Sequence, residues 1–108
     1  MEVRFSEIRS QDQLLIQTAN SKYRFRITDG EQRRGRLTGG TLGDNEREAV
    51  LAGAISGTGA LGDIARTLEP GGRAVFYLSA SHGVERLITS IITRVSHHHD
   101  SGTERRAA

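Results

Sequence analysis

The chain of 108 residues has no cysteine, no tryptophan and a single proline. Without cysteine, a disulfide framework, a thiolate nucleophile and a sulfur-ligated metal are all excluded. No apolar run approaches the ~18 residues that a membrane-spanning helix needs, and the amino terminus lacks the layout of a signal peptide. These features predict a cytoplasmic protein without a membrane segment.

Large apolar side chains are also scarce. Aromatic residues make up 5% of the chain and hydrophobic residues 35%, so the core must be built from Val, Ile, Leu and Ala around a few aromatic anchors. A chain of this length supports one domain, for which we predict residues 1–95. Because a thin core supplies little stability, self-association into a homo-oligomer is an expectation. The polar residues 96–108 predict a disordered tail.

The clearest pattern in the chain is the strict alternation of cationic and apolar residues in Lys22-Tyr23-Arg24-Phe25-Arg26-Ile27. Successive side chains of a strand point to opposite faces, so this segment predicts one buried and one positively charged face. Similar, weaker patterns predict strands at Val3–Ile8, Leu14–Thr18, Arg33–Thr38 and Ala74–Leu78. The predicted fold is mainly β: a small, partly closed barrel or a twisted antiparallel sheet of five to six strands with one short helix.

Two segments fit a helix or a strand, namely residues 46–55 and 85–95. We favour strands for both, because glycines weaken a helix in the first and β-branched residues dominate the second, with a break near Ser90. A hairpin from Phe76 to Ile88 would place the last strands at the centre of the sheet. The helix is predicted at Ala60–Leu68, where Leu61, Ile64, Ala65 and Leu68 share one helical stripe.

Residues Gly57 to Gly62 form a literal G-x-G-x-x-G between a predicted strand and the predicted helix. In dinucleotide-binding folds such glycines let the backbone approach a pyrophosphate at a helix amino terminus. Asp63 would repel that phosphate, and the chain is too short for a doubly wound sheet. A nucleotide-binding enzyme fragment is therefore retained only as an alternative, and we expect no cofactor.

Other candidate groups for chemistry are weaker. The run His97-His98-His99-Asp100 contains metal-ligand types, but adjacent residues of an extended chain cannot all converge on one ion, so we expect no metal. Glu46 and Glu48 are interpreted as solvated loop charges, because acid–base catalysis needs a pocket that shifts their pKa. We therefore predict that the protein is not an enzyme.

The remaining candidate is a basic hairpin that would display guanidinium groups to phosphates or carboxylates of a partner. Exposed aromatics for stacking on bases are missing from it. The sequence thus predicts a non-catalytic small β binding module for protein–protein interaction or self-association, with nucleic-acid backbone binding as an alternative. The predicted binding residues are Lys22, Arg24, Arg26, Arg33, Arg34 and Arg36.

Overall fold

The computed structural model describes residues 2–55 and 64–99, in which nearly all regular structure is β. Two 3-10 turns, Phe5–Glu7 and Gly40–Leu42, interrupt the strands. The strands are β1 Val3–Arg4, β2 Gln13–Thr18, β3 Lys22–Asp29, β4 Arg34–Gly39, β5 Arg47–Ile55, β6 Ile64–Ala65, β7 Thr67–Leu68, β8 Arg73–Ala80, β9 Gly83–Ile88 and β10 Ile92–His98.

All strand pairs are antiparallel. The main sheet has the order β10-β2-β3-β4-β5-β8-β9, with β6 added to the end of β5, and β1 and β7 form a second, two-stranded sheet. Among the described residues, no helix is long and apolar enough to cross a membrane.

The alternation in β3 is realised as predicted. Tyr23, Phe25 and Ile27 are buried while the cationic residues between them are exposed. Phe25 on β3 meets Phe76 on β8 edge to face, with ring centroids 5.1 Å apart. Three inter-strand spacings, about 14 Å in a flat sheet, separate β3 from β8. The sheet must therefore curl around its core for the two rings to touch.

The curl brings the far end of the sheet back towards β8. The Gly71 N–H donates to Ile92 O, and the Ile92 N–H donates to Gly72 O, each at 2.8 Å. Within the described ranges these contacts do not grow into a strand ladder, so the barrel is not closed. The structure confirms the mainly β prediction in its second form, a twisted antiparallel sheet.

Both ambiguous segments are strands, as favoured. Residues 47–55 form β5, and the break near Ser90 separates β9 from β10. The prediction that the last strands occupy the centre of the sheet is wrong, because β10 pairs with β2 and leaves β9 and β10 at opposite edges. The first strand is also shorter than predicted, since the chain turns at Phe5 to bury that ring.

The helix predicted at Ala60–Leu68 is wrong over the part that the structure describes. Ile64–Ala65 and Thr67–Leu68 are extended, and Leu68 is buried opposite Val3 of β1. The pairing with β1 buries Leu68 without a helical stripe. The first residues of that prediction, and all of the Gly57 to Gly62 motif, lie outside the described residues.

The polar tail was expected from Ser96, but β10 continues to His98. A register shift between Ile92 and Arg94 inserts one extra residue, so that Ile92 and Val95 both face the core. From Val95 the normal alternation turns His97 and then His99 towards the same face. The strand continues to His98 because its residues pair with Leu14 and Gln13 of β2.

Candidate functional site

The predicted basic residues are divided between two sides of the β3–β4 hairpin. Lys22, Arg24, Arg26, Arg34 and Arg36 alternate with buried residues and lie on the outer face, where Arg26 is directly opposite Arg36. Arg33 does not join them. It has a positive φ of 53°, its Nε donates to Leu51 O at 2.9 Å, and its guanidinium lies 5.0 Å from the Phe5 ring centroid.

Three of these arginines form ion pairs with glutamates. Glu46 Oε2 accepts a hydrogen bond from Arg26 Nη2 at 3.2 Å, and Glu46 Oε1 lies 3.8 Å from Arg36 Nη1. Glu48 Oε2 lies 2.8 Å from Arg34 Nη1. These are the acids interpreted from the sequence as solvated loop charges; they are exposed, and Glu48 belongs to β5, directly opposite Arg36. The outer face is therefore a mixed array of charges instead of a uniformly cationic one.

The cations left over lie together on the outer face near one end of β3. Lys22, Arg24 and Arg94 line a shallow groove, in which Arg94 and Lys22 flank Gln17 on either side of β2. Among the described residues, none of the three has a carboxylate within 4 Å. Arg94 was not part of the predicted set, because sequence alone does not place β10 beside β2.

A second surface with unusual chemistry is the edge of the sheet at β9, which pairs only with β8 in the part of the chain that the structure describes. Val84 is 71% exposed, Tyr77 43% and Ile88 42%, although all three are large apolar residues. The register puts them on one face: Ile88 opposite Val75, Val84 opposite Ser79, and Tyr77 opposite Arg86. We call Tyr77, Val84 and Ile88 the edge patch.

Charged residues on β9 are divided between its two faces. Arg86 lies between Val84 and Ile88 on the face of the edge patch, and no carboxylate within the described ranges pairs with it. Glu85 points the other way and lies 2.9 Å from Arg47. The edge patch thus carries one free positive charge between two branched apolar side chains.

A third cluster lies where β10 ends beside the start of β2. His97 Nε2 is 2.6 Å from Asp12 Oδ2, and His99 Nδ1 is 3.2 Å from Asp12 Oδ1. Burial raises the pKa of the Asp12 carboxyl, but hydrogen bonds from His97, the Arg9 N–H and His99 outweigh it and leave that pKa below its ordinary value of 3.8. Asp12 is 2% exposed, so its charge is held inside the protein by these donors.

Sequence reasoning missed this cluster because it considered only neighbouring residues. Asp12 and His97 are 85 positions apart. The signal that points to the pair is the spacing of His97 and His99, since residues two apart on a strand share a face. His98, between them, faces the other side and is exposed.

Comparison with family models, curated proteins and solved structures finds no match for this chain. Over residues 2–55 and 64–99, the fold and its surfaces define a class only: a small, curled antiparallel sheet with an apolar edge at β9.

Proposed function

We propose that the protein is a non-catalytic binding module whose edge strand β9 takes up an extended segment of a partner protein. The observation that carries this proposal is the edge patch: three large apolar side chains exposed together beside a strand edge that pairs with no other strand of the described residues. We retain the cytoplasm as its predicted location.

Two independent forces favour pairing at this edge. An edge strand presents N–H and C=O groups that a further strand can satisfy, which is the basis of recognition by strand addition. Side chains of the added strand would cover Val84 and Ile88, which alternate on one face. Burying such a side chain contributes about 1.5–3 kcal/mol.

The charge of Arg86 specifies the partner further. A segment in register with β9 places its own alternate side chains opposite Val84, Arg86 and Ile88. Opposite charges across a strand pair stabilise it by roughly 0.2–1 kcal/mol, and like charges destabilise it. The complementary segment therefore reads apolar, acidic, apolar at every second residue.

The same charge disfavours pairing of β9 with its own copy. In the two-fold register that puts Val84 opposite Ile88 of a second copy, Arg86 faces the second Arg86. Shifting the two-fold axis to Glu85 puts two Glu85 carboxylates opposite each other. Because both registers that use the whole strand oppose like charges, a separate partner is the better fit.

Two labelled seven-residue peptides test this proposal by fluorescence anisotropy. One alternates threonine with valine, glutamate and valine, and the other has lysine in place of glutamate. We expect the acidic peptide to bind about fivefold more tightly, which corresponds to about 1 kcal/mol. The variant Arg86→Glu should reverse the preference.

A matched pair of variants distinguishes peptide binding at the β9 edge from nonspecific binding to exposed apolar side chains. Val84→Lys should weaken acidic-peptide binding at least fivefold, while Ile91→Lys, at a residue 46% exposed outside β9, should leave it unchanged. Equal binding of both peptides to the wild type, or unchanged binding to Val84→Lys, would overturn the proposal. A dimer in sedimentation that Val84→Lys dissociates would instead assign the edge to self-association.

A further inference from the structure

We propose that Asp12, His97 and His99 form a binding site for a divalent transition-metal ion of the zinc type. Each of the three offers one ligand atom, and these atoms all lie within 4.8 Å of one another. The inference is independent of the edge patch, which lies on β8 and β9 at the opposite end of the main sheet.

The backbone positions these ligands on one face of one strand pair. His97 is opposite Leu14 in the β10–β2 ladder, and continuing that register by two residues puts His99 opposite Asp12. Leu14 is fully buried, so this face is the inner one. The cluster therefore forms the rim of the core, where the inner face of the sheet opens to solvent.

The donor set suits the zinc class of ions. Two imidazole nitrogens and one carboxylate oxygen are the ligands of open zinc sites, which keep a fourth position for water or another ligand. Hard ions such as Mg²⁺ favour oxygen ligands and are a poor match. Ring nitrogens of both histidines already face the carboxylate, so an ion entering between them needs only small side-chain movements.

The site has a buried ligand at its inner end, Asp12, and an exposed ligand at its opening, His99. The Asp12 side chain is 3% exposed, that of His97 13% and that of His99 63%. The Arg9 N–H donates to Asp12 Oδ2 at 2.9 Å and orients the carboxylate, as partners behind a metal ligand do. Two carboxylates, Asp12 and Glu7, and one guanidinium, Arg9, line the cavity that leads to the histidines, together with Ser6 and Ser10.

Metal binding would also connect distant parts of the chain. The ion would join the carboxyl end of β10 to the turn before β2, across 85 positions. An ion that binds only the folded chain stabilises it by mass action. With free zinc at one hundred times its Kd, we expect the thermal midpoint to rise by about 10 °C.

The test uses the full-length chain, stripped of metal with a chelator, and titration with Zn²⁺ by calorimetry. His99→Ala should weaken zinc binding at least tenfold, whereas His98→Ala, which removes the same side chain from the opposite face, should change it less than twofold. Asp12→Asn should weaken binding as much as His99→Ala. Co²⁺ should give visible absorption bands that His99→Ala abolishes.

Three results would overturn the assignment. Equal losses in His98→Ala and His99→Ala would show adventitious binding by the exposed histidine run. Unchanged zinc affinity in Asp12→Asn would remove the carboxylate from the site. A thermal midpoint that Mg²⁺ raises as much as Zn²⁺ would exclude a nitrogen-containing site.

Discussion

Replacing Glu46 and Glu48 with glutamine should convert the β3–β4 face into a phosphate-binding surface. In the wild type these two acids form ion pairs with Arg26, Arg34 and Arg36. Their side chains are 40% and 47% exposed, so each ion pair contributes at most about 1 kcal/mol to stability. The double variant should therefore fold while its three arginines become free.

The size of the effect follows from counting the phosphates that can be neutralised. Duplex DNA binding weakens with salt by a logarithmic slope of about 0.9 for each phosphate contacted. If Lys22, Arg24 and Arg94 each reach one phosphate, raising salt from 50 to 200 mM weakens wild-type binding about 40-fold. Three more contacts in the double variant raise that factor to about 2,000-fold.

Fluorescence anisotropy with a labelled duplex at several salt concentrations measures both slopes. A control variant with Glu2→Gln and Glu69→Gln has the same net charge, but its changes lie beside β1 and β7. We expect the control to retain the wild-type slope. Equal slopes in the two double variants would mean that net charge, and not the ion pairs on this face, sets the salt dependence. A wild-type slope as steep as that of six contacts would show that the glutamates do not shield the arginines.

Two further predictions concern stability. A methyl group on Gly35 would collide with the backbone carbonyl of Arg26, so Gly35→Ala should lower the free energy of unfolding in urea by about 2 kcal/mol. Thr38→Ala, on the same strand, should lower it by less than half of that. Similar losses in the two variants would refute the close approach of the Gly35 and Arg26 backbones. The lowered pKa of Asp12 adds stability that is fully present above the unfolded-state pKa of 3.8 and is lost as pH falls through the folded-state pKa. In metal-free protein, the difference in unfolding free energy between wild type and Asp12→Asn should thus shrink below pH 3.8, and a constant difference would contradict this reasoning.

Local pattern was sufficient to predict most of the strands. The alternation in β3 depends on neighbouring residues only, and both predicted strands of the β3–β4 hairpin are present. The predicted hairpin from Phe76 to Ile88 is likewise present, as the pair of β8 and β9. Pairing of distant strands was not predictable, because it depends on how far the whole sheet curls. For that reason the central position assigned to the last strands was wrong.

For the candidate sites too, local pattern was predictable and the pairing of distant strands was not. The five outward-facing cations of the hairpin follow from period-two alternation. Glu46 and Glu48, which pair with three of them, are placed at the start of β5 by the pairing of β5 with β4. Leu68 illustrates the opposite error, since its apolar spacing fitted a helix and pairing with Val3 buried it in a strand. The nearness of Asp12 to His97 depends on the bulge between Ile92 and Arg94, which no local propensity specifies.

The pairing of β10 with β2, which lie far apart in the chain, has a consequence during synthesis. Until β10 leaves the ribosome, β2 has no neighbour on its outer side, and the Asp12 carboxylate lacks both imidazoles. A nascent chain can form the hairpins from β2 to β9 but cannot finish the sheet. We therefore expect the protein to reach its native state only after translation of the described chain is complete.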